Sequence, residues 1–222
     1  MAKSRITKDP ELRKTEILNA AEELFLSRGF DETSVSDIVV KVGVAQGLFY
    51  YYFKSKDDIL NAVLERFTDN LFTELEIVGN DDRLNAAQKL RLVFKFFLDM
   101  TQNNEKMVIF MHDERNELLH HRLEHKSLDK MLSFFMNIVE QGIREKIFEL
   151  DFPRETVEIL FIGFVHYAHG MVKQIKELEL LAAKFDVSLA IFEKALGAAP
   201  GCLVNLSESI GENHEQSDYQ SE

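Results

Sequence analysis

Apolar residues recur at spacings of three and four along most of this chain, a pattern typical of amphipathic α-helices. The first such segment begins after Asp9, a residue type that caps helix starts, and Pro10, which suits the first helical position. The segment ends at Gly29, because glycine commonly terminates helices. The predicted buried face of this first helix consists of Ile17, Ala20, Ala21, Leu24 and Phe25.

Two shorter helices and the start of a fourth are predicted next. Ser34 and Asp37 have the spacing of a capping box, and Gly43 ends the short helix that they start. The buried side chains predicted for this second helix are Val35, Ile38, Val39 and Val42. A third helix is predicted at about 45–52, and the capping spacing recurs at 55–58 before a longer fourth helix.

The whole chain is predicted to be all-α, with a small N-terminal domain and a larger helical domain. The cluster at 79–82 combines a glycine with residues that favour caps and turns, so it is the clearest predicted boundary. Later helices are predicted at 84–102, 105–116, 118–147, 154–175 and 186–196. The predicted organisation is a helix-turn-helix domain at 1–55 with its motif at about 34–53, a connecting helix at 56–80, an effector-binding and dimerisation domain at 81–206, and an acidic, disordered tail at 207–222.

Composition narrows the class of protein. With 222 residues and 45% hydrophobic content, the chain can bury a sizeable core. It has neither a signal-peptide pattern at its start nor an apolar run long enough for a membrane span, so we expect a cytoplasmic protein that does not contact membranes. Cys202 is the only cysteine, which excludes an internal disulfide and favours an inert thiol.

The net charge of −12 at first argues against binding to nucleic acid. Basic and acidic residues nearly balance over 1–67, however, so almost all of the acidic excess lies further along the chain. The basic residues near the N-terminus are Lys3, Arg5, Lys8, Arg13 and Lys14. They fit an arm lying along DNA, although a solvated tail fits them equally well.

The segment 34–56 carries the candidate chemistry. Two short helices joined by a glycine turn need the first helix as a third wall, and such a unit fits a DNA major groove about 12 Å wide. The start of the second helix of the pair would face the base edges. Three of the five tyrosines, Tyr50, Tyr51 and Tyr52, are consecutive here, and phenolic hydroxyls suit phosphate contacts. Because a helix turns about 100° per residue, at least one of these rings should be partly buried beside Phe49 and Phe53.

The N-terminal region resembles the DNA-binding domain of the TetR family of bacterial transcriptional regulators. The resemblance covers about the first 67 residues and rests on ILNAAEELF at 17–25, GF at 29–30, TSVSDI at 33–38, GV at 43–44 and GLFYYYFKSK at 47–56. It implies a homodimeric, ligand-responsive repressor that binds a palindromic operator at the bacterial nucleoid and has no enzymatic activity. Activation instead of repression stays open.

The resemblance also implies roles for individual residues. Gln46 and Gly47 would approach base edges, with Ala45 and Leu48 beside them, and Ser36 would point toward the groove. The implied phosphate contacts are Ser34, Tyr50, Tyr51, Tyr52 and Lys56. Ser34 can equally act as a simple helix cap.

Two positions depart from the family pattern. Leu48 stands where many relatives carry a small hydroxyl residue, so we expect contact with a thymine methyl group in place of a hydrogen bond. Val39 stands where a small alanine is common, and its branched side chain would push the second and third helices slightly apart.

In the family, the second domain forms the dimer contact and often a small-molecule pocket. The residues that could line an apolar pocket are Phe94, Phe97, Met107, Phe110, Met111, Met131, Phe134, Phe135, Phe161, Phe164 and Tyr167. His112, His166 or His169 could anchor a small apolar or aromatic effector, although ordinary core packing explains most of these side chains as well. No other cofactor is expected.

A dimer contact is predicted on the last long helices. The apolar stripe consists of Val157, Leu160, Phe161, Phe164, Val165, Ala168, Met171, Val172 and Ile175, with Ile191 and Leu196 joining it. A helix that is apolar on all sides can equally be central to the core of one subunit.

The alternatives from other classes are a metal-sensing regulator, a helical metalloenzyme, and a helical adaptor that does not bind DNA. His121 and His125 have a spacing that can bind zinc, with Glu117 and Glu124 nearby. The metalloprotease pattern is absent because Arg122 directly follows His121, and no metal is expected.

Overall fold

A computed structural model describes residues 9–113, 117–172 and 175–203, without the side chains at 117–126, 169 and 178. These residues form nine α-helices and no strand, which confirms the all-α prediction. The helices are α1 (Pro10–Arg28), α2 (Val35–Val42), α3 (Gln46–Tyr52), α4 (Lys56–Gly79), α5 (Ala86–Asn103), α6 (Glu105–Met111), α7 (Glu117–Arg144), α8 (Pro153–Met171) and α9 (Leu178–Ala195). Within the described residues, no helix is both long and apolar enough to cross a membrane. The predicted tail at 207–222 lies outside the described residues.

The chain divides into two compact units, Met1–Phe72 and Thr73–Glu222. This division falls inside α4, whereas the sequence placed its clearest boundary at 79–82, after the end of the same helix. The physical reason is that α4 contributes buried side chains such as Ile59 and Val63 to the first unit and Leu75 to the second. Gly79 therefore marks the end of α4, but it does not mark the boundary between the two hydrophobic cores.

The predicted caps of the first helices are present. The Asp9 side chain accepts a hydrogen bond from the Glu11 amide at 2.9 Å, and the Gly29 amide donates to the Phe25 carbonyl at 2.9 Å. Gly29 has a φ of 93°, which explains why glycine ends α1. All five side chains predicted for the inner face of α1 are buried: Ile17, Ala20, Ala21, Leu24 and Phe25.

Polar contacts add to this small core. The Arg66 guanidinium of α4 contacts the Glu22 carboxylate of α1 and donates to Asn19 Oδ1 at 2.7 Å. The Lys41 ammonium of α2 lies 2.6 Å from the Glu23 carboxylate of α1. These contacts join both α2 and α4 to α1.

The second unit contains α5 to α9 and the end of α4. The predicted helices are present, but α6 ends at Met111, α8 ends at Met171 and α9 begins at Leu178, eight residues before the predicted start at 186. The start of α9 was missed because its N-cap, Glu177, makes no side-chain capping bond and gives no local signal.

Phenylalanine rings dominate the core of the second unit. The centroid of Phe94 on α5 lies 4.9 Å from that of Phe164 on α8 and 5.0 Å from that of Phe192 on α9. Phe135 on α7 and Phe161 on α8 have centroids 5.0 Å apart. Rings from four helices therefore meet in one aromatic cluster.

Two close contacts fix the end of α4. The buried Lys89 ammonium donates to the Gly79 carbonyl oxygen at 2.7 Å. A Cβ atom on Gly79 would lie only 2.7 Å from Cε2 of the Phe134 ring. Lys89 thus satisfies a carbonyl at the negative end of the helix dipole, and Phe134 leaves room for no side chain at this position.

The last described residues are held by one carboxylate. Glu193 on α9 is 8% exposed, and its two oxygens accept hydrogen bonds from the Gly201 amide at 2.9 Å and the Leu203 amide at 3.0 Å. Leu203 itself is 0% exposed. The segment after α9 is therefore part of the packed structure.

Candidate DNA-binding interface

The start of α2 is a complete capping box. The Asp37 amide donates to Ser34 Oγ at 3.1 Å, and the Ser34 amide donates to Asp37 Oδ2 at 2.8 Å. The Ser34 hydroxyl also donates to the same carboxylate oxygen. These bonds from Ser34 lower the pKa of Asp37, so its negative charge is stabilised at the start of α2. Ser34 thus acts as a cap, and its hydroxyl hydrogen is already bound.

A glycine forms the turn between α2 and α3. Gly43 is in the left-handed conformation, with φ 72° and ψ 41°, and its amide donates to the Val39 carbonyl at 2.9 Å. The Val44 amide donates to the same carbonyl at 3.0 Å. The chain therefore turns at Gly43, and α3 begins after three intervening residues.

The third helix is held in place by the side chain of Phe49, which is 0% exposed. The residues around its N-terminus, Ala45, Gln46 and Gly47, are exposed, and Leu48 is half-buried. A Cβ atom at Gly47 would meet nothing within 4 Å, so packing does not require glycine there. The start of α3 is thus exposed, while the buried Phe49 holds the helix in the domain.

The three tyrosines differ in exposure, as the helical repeat predicts. Tyr51 is 76% exposed, Tyr50 is 52% exposed, and Tyr52 is half-buried. The Tyr50 ring contacts the buried Phe49 edge to face at 5.4 Å between centroids, and Tyr51 and Tyr52 contact each other in the same way at 4.9 Å. Each exposed ring is therefore supported by a neighbouring ring, which restricts the positions of its hydroxyl.

Lys56 makes contacts that the sequence did not predict. Its ammonium donates to the Phe30 carbonyl at 2.8 Å and to the Asp31 carbonyl at 3.4 Å. It also lies 4.2 Å from the centroid of the Phe30 ring. Lys56 therefore joins the start of α4 to the loop between α1 and α2.

The matches to known proteins agree with this geometry. A family model described as bacterial regulatory proteins of the tetR family matches residues 17–63, which run from the buried face of α1 into α4. The HTH-type transcriptional repressor KstR2 of Mycobacterium tuberculosis is 25% identical over 157 residues, which are 69% of this chain and 78% of the relative. Residues 17–63 therefore carry the N-terminal domain of the TetR family.

Further relatives extend the match. A solved structure of KstR2, described as a ketosteroid transcriptional regulator, has a TM-score of 0.53 at 20% identity and covers 89% of this chain and 95% of that one. The fatty acid metabolism regulator protein of Bacillus subtilis is 28% identical over 135 residues, 60% of this chain and 66% of the relative. A complex of SmeT with triclosan has a TM-score of 0.70 at 20% identity and covers 88% and 96% of the two chains. The likeness in fold therefore reaches well beyond 17–63.

With this TetR-family domain, the chain is a DNA-binding transcriptional regulator with a helix-turn-helix. The structure brings the predicted base-facing residues together at the start of α3, with Ser36 exposed on the neighbouring α2. The roles of these residues toward DNA stay predictions, and so does the altered α2–α3 spacing proposed for Val39, which is 6% exposed.

The predicted effector residues, all in the second unit, fall into three groups by burial. Phe94, Met107, Met131, Phe135, Phe161 and Phe164 are buried; Phe97, Phe110, Met111, His112 and Phe134 are half-buried; His166 and Tyr167 are exposed. The aromatic cluster contains Phe94, Phe97, Phe134, Phe135, Phe161 and Phe164, and the centroids of Phe97 and Phe164 are 6.2 Å apart. Tyr167 lies apart from it, with the Lys184 ammonium 5.8 Å from its ring centroid. The side chain of His169 lies outside the described residues.

The predicted dimer residues also divide by burial. Phe161, Met171, Ile175 and Leu196 are at most 7% exposed within one subunit, so they have almost no surface left to bury against a partner. Val165, Ala168 and Val172 are half-buried, and Ile191 is 54% exposed. The sequence did not single out three exposed apolar residues of α8 and α9: Ile159 at 72%, Ile162 at 47% and Val187 at 54%. Periodicity could not find Ile159 and Ile162, because α8 is apolar on most sides.

The metal alternative is not supported by the described residues, among which no three His, Cys, Asp or Glu side chains come together as a metal site. The side chains of Glu117, His121, Glu124 and His125 lie outside the described part of α7, so this alternative stays a prediction. Burial raises the pKa of the Cys202 thiol, which disfavours the thiolate form needed for a nucleophile or metal ligand.

Proposed function

We propose that this TetR-family regulator is a homodimeric repressor that binds a palindromic operator through α3 and is released by a small apolar or aromatic effector. The observation that carries the proposal is the exposed start of α3, where Gln46 and Gly47 project from a helix held by the buried Phe49. In a major groove, Gln46 would read base edges by hydrogen bonds and Leu48 would contact a thymine methyl group.

Contacts with the DNA backbone would surround this reading surface. The side chains of Tyr50 and Tyr51 are exposed, and their hydroxyls would donate to phosphates beside α3. Lys56 has three ammonium hydrogens, of which two are directed at the Phe30 and Asp31 carbonyls. The third is left for a phosphate, so Lys56 would join the loop, α4 and the DNA backbone at one point.

The dimer would form through α8 and α9. Ile159 and Ile162 on α8 and Val187 and Ile191 on α9 are the exposed apolar side chains that support this assignment. Burying them against a second copy would stabilise the pair. A two-fold dimer would then present two α3 helices to half-sites about one helical turn, or ~34–36 Å, apart.

The effector would bind in the second unit, beside the phenylalanine cluster. Support comes from the names of the relatives, which refer to a ketosteroid, fatty acids and triclosan. These are all largely apolar molecules that carry oxygen. Apolar cores with few polar groups suit such ligands. The proposed activity involves no catalytic step and would take place at the nucleoid.

Selection of bound fragments from the source genome, followed by titration of the selected duplex, tests the DNA-binding part. We expect a palindromic site whose affinity falls steeply with salt concentration as counterions are released. Gln46→Ala should change the preferred bases, whereas Tyr50→Phe should weaken binding to all sequences alike. Tyr167→Phe removes the hydroxyl of another exposed tyrosine and is the matched control. Failure to bind any duplex at low ionic strength would refute the proposal.

The effector part is tested by adding a steroid ketone, a long-chain fatty acid or triclosan to the operator complex and following release of the DNA. At least one of these compounds should lower the affinity for DNA by its preference for the DNA-free conformation. If all three leave the complex unchanged while binding to DNA is normal, the effector class is wrong and the DNA-binding function stands.

A further inference from the structure

The amide nitrogen of Gln102, in the last turn of α5, is fully buried and makes no hydrogen bond. It is the one buried side-chain nitrogen or oxygen among the described residues that lacks a partner. Burying a donor without an acceptor is unfavourable, and buried polar groups are almost always paired. An unpaired donor in this place therefore calls for an acceptor that the chain itself does not supply.

The polar side chains next to Gln102 in the sequence do have hydrogen-bond acceptors. The Thr101 hydroxyl donates to the Phe97 carbonyl at 2.8 Å, and the Asn104 amide nitrogen donates to the Met100 carbonyl at 3.0 Å. Both polar side chains thus use carbonyl groups of the preceding helical turn. Gln102 differs from these two neighbours because its amide nitrogen has no acceptor. Carbonyl acceptors are present at the end of α5, so a shortage of them does not explain the unpaired amide.

The position of Gln102 on the helix links it to the aromatic cluster. Leu98 and Phe94 precede it by one and two turns, and residues four apart lie on the same side of a helix. Leu98 is 1% exposed and Phe94 is 0% exposed. Phe94 contacts the rings of Phe164 and Phe192. This side of α5 therefore runs from buried phenylalanine rings to Gln102, a half-buried side chain whose amide nitrogen is buried.

We propose that Gln102 is the polar anchor of the effector site and that its amide donates a hydrogen bond to a neutral carbonyl oxygen of an otherwise apolar ligand. This inference rests on the proposed effector-responsive function and narrows its ligand class. A neutral acceptor fits because the amide carries no charge and the residues one and two turns before it, Leu98 and Phe94, are buried and apolar, so an ionised carboxylate would be poorly stabilised beside them. The occupant is therefore a ketone, aldehyde or ester.

Two pairs of probes isolate the carbonyl group. Benzophenone and diphenylmethane have the same two rings and differ by one carbonyl oxygen, and 2-nonanone and nonane are a linear pair that differs in the same way. Calorimetric titration of the full chain without DNA should show that at least one ketone binds roughly 5- to 10-fold more tightly than its hydrocarbon, as expected for one neutral hydrogen bond.

The variant Gln102→Met keeps the length of the side chain and removes the donor. It should abolish the preference for the ketone and leave the affinity for the hydrocarbon unchanged. Asn103→Met is the matched control, because it replaces the adjacent, exposed amide of the same helix and should keep the preference. The melting temperature of Gln102→Met without ligand should equal or exceed that of the wild type, since no bond is lost.

Several results would overturn the assignment. A lower melting temperature for Gln102→Met would mean that the amide is bonded within the protein, and a ketone preference that survives in this variant would place the carbonyl elsewhere. No binding of either ketone at millimolar concentration would also refute it. Titrating operator DNA with the same preparations distinguishes failure of the Gln102 proposal from failure of the proposed function. If the protein binds DNA normally but gives any of these results, only the role of Gln102 is refuted. If it does not bind DNA, the proposed function is refuted.

Discussion

The Lys56 ammonium donates a hydrogen bond to the Phe30 carbonyl oxygen at 2.8 Å and lies 4.2 Å from the centroid of the Phe30 ring. Phe30 in turn contacts the buried Phe25 of α1, with 5.3 Å between ring centroids. One lysine therefore connects the start of α4 with the loop that leads into α2. A residue expected to contact DNA also stabilises the domain that presents it.

The variant Lys56→Met should lower both stability and DNA affinity. Loss of a charge-assisted hydrogen bond and a cation–π contact should cost about 1–3 kcal/mol of unfolding free energy, because the methionine stem keeps most of the packing. The salt dependence of DNA binding should fall by a slope of about 1 if a phosphate contact is also lost. Denaturant unfolding and DNA titration at several salt concentrations measure the two effects.

Lys54→Met is the control for the stability effect, since the Lys54 side chain is exposed two residues earlier. Equal stability losses in the two variants would contradict the role given to the Phe30 contact.

Two glycines of the helix-turn-helix should respond in opposite ways to alanine. Added Cβ atoms at Gly43 and Gly47 both meet nothing within 4 Å, so any difference comes from the backbone. Gly43 has a φ of 72°, and alanine there should cost about 1 kcal/mol. Gly47 is in α3, and alanine there should stabilise by about 0.5–1 kcal/mol. Thermal unfolding of both variants measures this, and changes of the same sign would refute it.

Gly79→Ala should destabilise the second unit by about 1–3 kcal/mol, because the new methyl group would overlap the Phe134 ring, 2.7 Å away. The double variant Gly79→Ala with Phe134→Leu should recover part of this loss relative to Phe134→Leu alone. A double-mutant cycle measured by denaturant unfolding gives the coupling between the two positions. Additive effects would show that the ring is not what excludes a side chain at Gly79.

The capping box predicts a dependence of stability on pH. The bonds from Ser34 hold the pKa of Asp37 below its ordinary value of 3.8, so the ionised carboxylate stabilises the folded state. This stabilisation is complete above the ordinary pKa and is lost as the pH falls through the lowered one. Asp37→Asn should therefore be less stable than the wild type at pH 6, and the difference should shrink toward pH 3. Melting curves across this range test it, and a constant difference would exclude Asp37 as the cause.

Local signals in the sequence predicted the small helices well. The capping pair Ser34–Asp37 and the terminal glycines Gly29 and Gly43 act within a few residues, so their spacing alone indicates where α1 and α2 begin or end. The motif residues of α3 follow from the same spacing. The start of α9 at Leu178 gave no such signal, and it was predicted too late.

Contacts between distant parts of the chain could not be predicted in this way. Nothing near Lys56 in the sequence indicates that its ammonium binds a carbonyl 26 residues away. The same limit applies to the faces of α8: Phe161 and Ile162 are adjacent and equally apolar, yet one is 4% and the other 47% exposed. Only the packing of α8 against its neighbours decides which of them is buried.

The binding of two backbone amides by Glu193 limits how far the chain can be shortened for crystallisation or NMR. Ending the chain before Gly201 would remove the two amides that donate to Glu193. Its carboxylate, on a residue only 8% exposed, would then lose both hydrogen bonds. Ending it directly after Leu203 would keep both bonds and the buried Leu203 side chain. Tags and fluorophores for studies of this regulator are therefore best attached beyond Leu203.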